Sequence, residues 1–252
     1  MRHKYDLGLV SVSFRSSSPE EILSAMRQAG LSHVEWGSDV HAPCGDRERL
    51  CEIAQMQKEL GVTCSSYGTY FRLGETPLSE LEHYIAAANI LGTEVLRLWC
   101  GAKSGADMTP GEKEALFEQC RKAAVIAEKN GVMLCMECHK KTFTERKEDS
   151  EALMRAIASP SFRMYWQPFQ WLTREQNAEV ARTVSPFTEH IHVFHWKGDQ
   201  KLSLWEGMEE WREYLSLFST PRTLLLEFMP DGQLESLPRE AEALKIMIGD
   251  TE

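Results

Sequence analysis

Asn130-Gly131 reads as the end of a helix, and the nine residues after it, Val132-Met-Leu-Cys-Met-Glu-Cys-His-Lys140, read as an apolar strand broken by an acid and an imidazole. In such a strand Glu137 faces one side while its neighbours Met136 and Cys138 face the other. An isolated carboxylate ending a buried strand is costly unless a cation meets it, and a metal ion is the simplest such partner. The fold therefore turns on whether other strands end in the same way.

Working outward, the succession of helix, glycine and strand recurs along the chain. Tyr5 to Ser13 is a first strand, Ser18-Pro-Glu-Glu opens a helix that Gly30 closes, and His33-Val-Glu-Trp36 is a second strand. A helix over Arg47 to Leu60 ends at Gly61, Val62 to Tyr67 is a strand, and a helix over Leu78 to Leu91 stops at Gly92. Glu94 to Trp99 is the fourth strand, and Thr109-Pro-Gly-Glu starts the long helix that ends at Asn130-Gly131. Strands at Val132 to Cys138, Arg163 to Gln167, His190 to His195 and Thr223 to Phe228 follow, separated by helical stretches near Ser150, Arg174 and Glu209. A last helix runs from Pro238 to Ile248. This alternation, in 252 residues without a linker, predicts an α/β fold, a single-domain (β/α)8 TIM barrel spanning residues 1–252. A doubly wound open sheet lacks support in its nucleotide-binding versions, because no GxGxxG turn or GxxxxGK[ST] loop follows a strand.

Composition narrows the partners. With 28 basic and 38 acidic residues the formal charge is -10, which repels phosphate backbones and points to small-molecule substrates rather than nucleic acid. No run of about 18 apolar residues predicts a membrane span, and Met1-Arg-His-Lys-Tyr-Asp6 is unlike an export signal. The expected location is cytoplasmic, with the seven cysteines reduced. Cys135-Met-Glu-Cys-His139 matches the CxxCH pattern of covalent haem attachment, yet its two cysteines lie on opposite faces of a buried strand, which rules that reading out.

In a TIM barrel the active site lies where strands end. The last strands close with Glu137, Gln167, His195 and Glu227. Carboxylate, amide oxygen and imidazole together suit Mn²⁺ or Mg²⁺, with Zn²⁺ and Co²⁺ also compatible. His192 and His195 stand three residues apart and face opposite sides of a regular strand. Alternation alone also admits the face shared by His190 and His192. His139 shares a face with Glu137, either lining a pocket or bonded to backbone in its loop. Glu35, Arg97, Trp99 and Lys197 are further candidates for contact with a polyol or phosphate. Trp99, Trp166, Trp171 and Trp196 either wall a sugar site or fill the helix layer.

The strings Ser66-Tyr-Gly-Thr-Tyr70, Leu91-Gly-Thr-Glu-Val-Leu-Arg-Leu-Trp99, Glu137-Cys-His139, Trp166-Gln-Pro168 and His195-Trp-Lys197 resemble the xylose-isomerase-like barrel family of sugar phosphate isomerases and epimerases. The resemblance implies one divalent metal held by Glu137, Gln167, His195 and Glu227, with the two glutamates also moving protons at the substrate carbon. It chooses His195 over the other imidazoles. The chain departs from the family pattern at Gln167, where an Asp is usual, and at Gln170, where ketose epimerases carry a substrate-holding His. The implied activity is isomerisation or epimerisation of a ketose, polyol or sugar phosphate. The alternatives are a metal-dependent dehydratase or lyase on the same scaffold and a non-catalytic sugar-binding barrel.

Overall fold

The computed structural model describes residues 5–219 and 223–249; residues 1–4, 220–222 and 250–252 of the expected span lie outside the described residues. The strands are β1 Asp6–Val10, β2 His33–Gly37, β3 Thr63–Leu73, β4 Val95–Cys100, β5 Met133–Glu137, β6 Phe162–Trp166, β7 Thr188–Val193, β8 His195–Lys197, β9 Gln200–Leu202 and β10 Thr223–Leu226. The helices are α1 Pro19–Gln28, α2 Arg47–Leu60, α3 Leu81–Leu91, α4 Pro110–Lys129, α5 Lys147–Ile157, α6 Arg174–Val184, α7 Met208–Ser216 and α8 Leu237–Ile248. Eight strands pair in parallel in the closed order β1-β10-β7-β6-β5-β4-β3-β2, so the fold is the expected (β/α)8 barrel. The remaining two, β8 and β9, form an antiparallel hairpin beside it.

Local chemistry sets the helix ends. Ser18 with Glu21, Thr109 with Glu112 and Thr173 with Gln176 form complete capping boxes, and prolines stand in the first turns of α1 and α4. At the other end Gly61 closes α2 in the left-handed region, with φ of 65°. Among the described residues no helix is long and apolar enough to cross a membrane.

Strand alternation divides the interior into two packed zones. Leu96, Leu98, Leu134, Met136, Ile191, Val193, Leu224 and Leu226 belong to the large cluster between barrel and helices. Val10, Val12, Val95, Cys135, Tyr165 and Leu225 form a second, smaller apolar cluster that includes inward residues of five barrel strands. The side chains that follow by alternation on those inward faces, Arg97, Glu137, Gln167 and Glu227, are all polar and all buried. An apolar plug therefore supports a charged layer at the strand ends.

One strand is longer than expected, and one alternative left open by the sequence is decided. Strand β3 runs on to Leu73, well past the expected Tyr67, and its register against β4 shifts between Gly68 and Arg72. Trp166 faces the helix layer, where its ring lies 5.7 Å from Trp211, 5.3 Å from Tyr214 and 5.2 Å from Phe218. It is fully buried there, so it is a packing residue and not part of a sugar wall. Trp166→Ala should lower unfolding free energy by about 3–5 kcal/mol in urea titration, the usual cost of deleting a buried large aromatic.

Candidate active site

Three buried glutamates meet at the C-terminal mouth of the barrel: Glu35 on β2, Glu137 ending β5 and Glu227 just after β10. Like charges this close need cations between them. Arg97 on β4 is the first, donating from Nε to Glu35 at 2.7 Å and from NH1 to Glu137 Oε2 at 2.6 Å. Trp99, two residues on and on the same face, donates its indole N–H to the same Glu137 oxygen at 2.5 Å. Burial would raise the Glu137 carboxyl, but Arg97, then His192 and His139, outweigh it and bring it down to about 2. For Glu35 burial is likewise outweighed, by Arg97 and His192, and its carboxyl falls far below the usual range.

The second cationic group is His192, fully buried on the inward face of β7. Its Nδ1 lies 3.2 Å from Gln167 Oε1, 3.3 Å from Glu227 Oε2 and 3.5 Å from Glu137 Oε1. Its Nε2 faces Glu35 Oε2 at 3.4 Å. Burial opposes a charge on the ring, yet Glu227, Glu35 and Glu137 hold it well above the ordinary imidazole range.

The side chain of Gln167 is oriented by backbone. Its amide nitrogen donates to the Cys138 carbonyl at 3.1 Å, so a flipped amide would set oxygen against oxygen there. The carbonyl Oε1 is thereby the atom turned towards His192 Nδ1.

Above this layer lies a cavity of about 290 Å³ whose lining includes Arg97, Trp99, Glu137, His139, Gln167, Gln170 and Glu227. With Trp171 and Trp196 on its walls, nine sequence-derived candidates are thus brought together. His139 satisfies both of its readings: Nδ1 donates to the Lys140 carbonyl at 2.8 Å while the ring lies 4.9 Å from Trp99. The walls also carry Tyr70, Trp171, Trp196 and Phe228, and at the rim Arg15 is paired with Asp39 and bonded to Tyr70 at 2.6 Å. Tyr70 and Arg15 were not singled out as wall residues, because neither carries a spacing signal; Phe228, expected from alternation to face the helices, lines the cavity instead because its backbone turns into the left-handed region, φ 56°, just past the strand end.

Three expected site residues lie elsewhere. His195 is a correction: β7 ends at Val193, and His195 already belongs to the hairpin. Its ring packs on Gly207, where an added Cβ would stand 2.6 Å from Nδ1, and that nitrogen is 3.8 Å from Glu210. Because Ile191 and Val193 are drawn into the outer core, alternation turns His192 inwards in its place. Lys197 is exposed on the same hairpin; Lys201 instead sits 4.9 Å over the Phe228 ring. Glu35 is fully buried below the cavity, so it is no substrate contact.

The donor set can be tested against a divalent ion. Among the described residues no three His, Cys, Asp or Glu side chains are gathered as a ready-made cation cage. What the structure shows is the approach of three oxygens to one imidazole nitrogen, His192 Nδ1. Donors bound near 2.1 Å to one ion lie roughly 3.0–3.5 Å from their neighbours, and the three oxygens stand at 3.2 to 3.5 Å from His192 Nδ1. The charge also suits a dication: a ligating Nδ1 must give up its proton, Glu35 and Arg97 cancel, and Glu137 and Glu227 remain. Glu137, Gln167, His192 and Glu227 therefore fit the group.

With this geometry in view, the chain's relationships are clear. Residues 23–245 match the family of xylose isomerase-like TIM barrels, and the chain belongs to that family. Solved structures with this fold include the probable 3-DHS dehydratase AsbF of Bacillus anthracis, 16% identical over 96% of this chain and 98% of that one, with a TM-score of 0.80. D-psicose 3-epimerase of Clostridium cellulolyticum H10 is 13% identical over 96% and 98%, with a TM-score of 0.71. A xylose isomerase-like TIM barrel protein of Mycobacterium smegmatis, in complex with magnesium, is 14% identical over 99% and 98%, with a TM-score of 0.70. Comparison with curated proteins gives no significant match.

The two imidazoles separate cleanly by experiment. His192→Ala should weaken Mn²⁺ binding by about tenfold or more, whereas His195→Ala should leave it within a factor of about two, read by calorimetric titration. The reverse pattern would restore His195 to the site.

Proposed function

We propose that this protein is a divalent-metal-dependent isomerase or epimerase acting on a ketose, polyol or sugar phosphate, with Mn²⁺ or Mg²⁺ held by Glu137, Gln167, His192 and Glu227. The observation that carries this reading is the convergence of Glu137, Gln167 and Glu227 oxygens on His192 Nδ1 beneath an aromatic-walled cavity. Family membership and the epimerase among the similar folds support it. A bound divalent ion would polarise a carbonyl and its neighbouring hydroxyl and stabilise the negative charge that develops there as a carbon-bound proton leaves.

The protein's own groups divide the remaining work. Glu137 Oε2 is fixed by Arg97 and Trp99, which leaves Oε1 as its reactive oxygen. Among the described residues the side chain of Glu227 has one polar contact, His192 at 3.3 Å, so it is the carboxylate freer to carry a proton. The two act as general base and acid at the substrate carbon. Trp99, Trp171 and Trp196 offer flat faces to the C–H side of a sugar and exclude water, while His139 and Gln170 are placed to bond hydroxyls.

The engagement of Glu137 Oε2 also favours a second reading. A reaction that needs one mobile base, removal of a proton followed by loss of hydroxide, fits a dehydratase on the same residues, and the fold of AsbF is a close one. Product mass tells the two apart, since only the dehydratase loses water.

Incubating the protein with a panel of ketoses and polyols in D₂O should show exchange of a carbon-bound proton that chelator abolishes. Glu227→Gln should slow that exchange by about 10²-fold or more. A panel without metal-dependent exchange or water loss would leave the sugar-binding alternative standing.

Gln167 gives a separate test. Its amide brings an oxygen but no charge, so Gln167→Asp should tighten Mn²⁺ or Mg²⁺ binding in the substrate-free protein, and Gln167→Leu should weaken it about tenfold. Unchanged affinity in both variants would remove Gln167 from the ligand set.

A further inference from the structure

Glu35 is a buried charge that the proposed chemistry does not use. It lies on β2 with none of its surface exposed, below the cavity floor, so it touches neither substrate nor the centre where the four donors converge. Its carboxylate is nevertheless fully engaged. Oε1 accepts Arg97 Nε–H at 2.7 Å, and Oε2 accepts Ser66 Oγ–H at 3.0 Å and faces His192 Nε2 at 3.4 Å.

The backbone is shaped to allow this. The β2–β3 register slips between Val34 and Glu35, so that Val34 pairs with Cys64 but Glu35 pairs with Ser66. The slip brings the Ser66 hydroxyl opposite the carboxylate. Two residues on, Gly68 leaves the space: a Cβ there would stand 2.6 Å from Glu35 Oε1 and 2.8 Å from Arg97 NH2. Any other residue at 68 would press on the ion pair.

From these contacts we infer that Glu35 is a positioning residue: by accepting His192 Nε2–H and Arg97 Nε–H it turns His192 Nδ1 and Glu137 Oε1 towards the common centre. This rests on the metal-site reading above. The two nitrogens of an imidazole are not equivalent, and a hydrogen bond from one fixes which of them is presented as a donor atom. With Nε2 committed to Glu35, Nδ1 is the atom that faces Gln167, Glu137 and Glu227. Arg97 transmits the same constraint sideways, because the guanidinium that Glu35 holds by Nε holds Glu137 Oε2 by NH1. One carboxylate thus orients two of the four donors.

The inference predicts the behaviour of Glu35→Gln. The new amide must keep its oxygen towards Arg97, which places its NH2 against His192 Nε2 and removes the acceptor there. Mn²⁺ affinity by calorimetry should then fall 10- to 100-fold. In metal-free protein carrying ¹⁵N-histidine, the wild type should show an exchange-protected His192 Nε2–H resonance that the variant lacks. Glu240→Gln is the control, since Glu240 is also buried but serves Ser203 Oγ and the Leu204 N–H far along the chain. It should change neither readout. A folded Glu35→Gln with Mn²⁺ affinity within twofold of wild type and an intact Nε2–H signal overturns the inference. If that variant does not fold, Glu35→Asp decides: it keeps the charge but draws the carboxylate back from His192 Nε2, and unchanged Mn²⁺ affinity with an Nε2–H as well protected as in wild type overturns the inference. Wild-type protein that binds no Mn²⁺ would sink the metal reading instead, and the Nε2–H signal would still report on Glu35.

Discussion

The guanidinium of Arg97 makes the strand-end layer possible. Three carboxylates and an imidazole are buried together at the top of a closed barrel, where an uncompensated charge would destabilise the fold by several kcal/mol. Arg97 reaches two of the three glutamates through different nitrogens, and burial does not strip its charge because Glu137 and Glu35 hold it well above even its high normal range. A lysine offers a single point charge and could not bridge both in this fixed geometry. The rest of the site follows from that bridge: Glu137 is left with one free oxygen, Glu35 with one oxygen for His192 and Ser66, and Glu227 as the least constrained of the three.

Beneath the charged layer the barrel is filled, and this ordering gives the site its rigidity. Tyr165 lies between the two levels, with its ring 5.2 Å from His190 and 5.0 Å from His192. His190 reaches across the barrel to the Ser65 carbonyl at 3.3 Å. Side chains locked by packing below and by hydrogen bonds above hold their positions without help from a ligand, which is the condition for electrostatic stabilisation to act on a reacting group.

Much of this was legible in the sequence because two periodicities agree. Capping boxes and terminal glycines marked the helices, period-two alternation put Glu137 and Glu227 on the inner faces of their strands, and Gln167 was marked by its place at a strand end. The seventh strand was harder. Thr188 to Val193 is buried at every residue, so its burial shows no alternation, and the histidines at 190, 192 and 195 offered two faces. The resemblance to a family motif favoured His195, whereas the strand end at Val193 and the turn into the hairpin decide for His192. Trp166 and Trp99 illustrate the same limit: both lie in the last two residues of their strands, and only the parity of the position, fixed by where each strand begins, sends one to the helices and the other to the cavity. Glu35 was read as a site residue for the right strand and the wrong depth, since sequence gives the face of a side chain but not its level in the barrel.

The hairpin of β8 and β9 stands apart from this tightly coupled interior. Its strands pair only with each other and take no part in the closed barrel order. It still contributes Trp196 to the cavity wall and sets Lys201 over Trp196 and Phe228. None of Glu137, Gln167, His192 and Glu227 lies on it, and no barrel register runs through it. Residues 194–207, between β7 and α7, thus supply part of the cavity wall from outside the barrel's hydrogen-bond network, so that wall and barrel are built by separate pairings of the backbone.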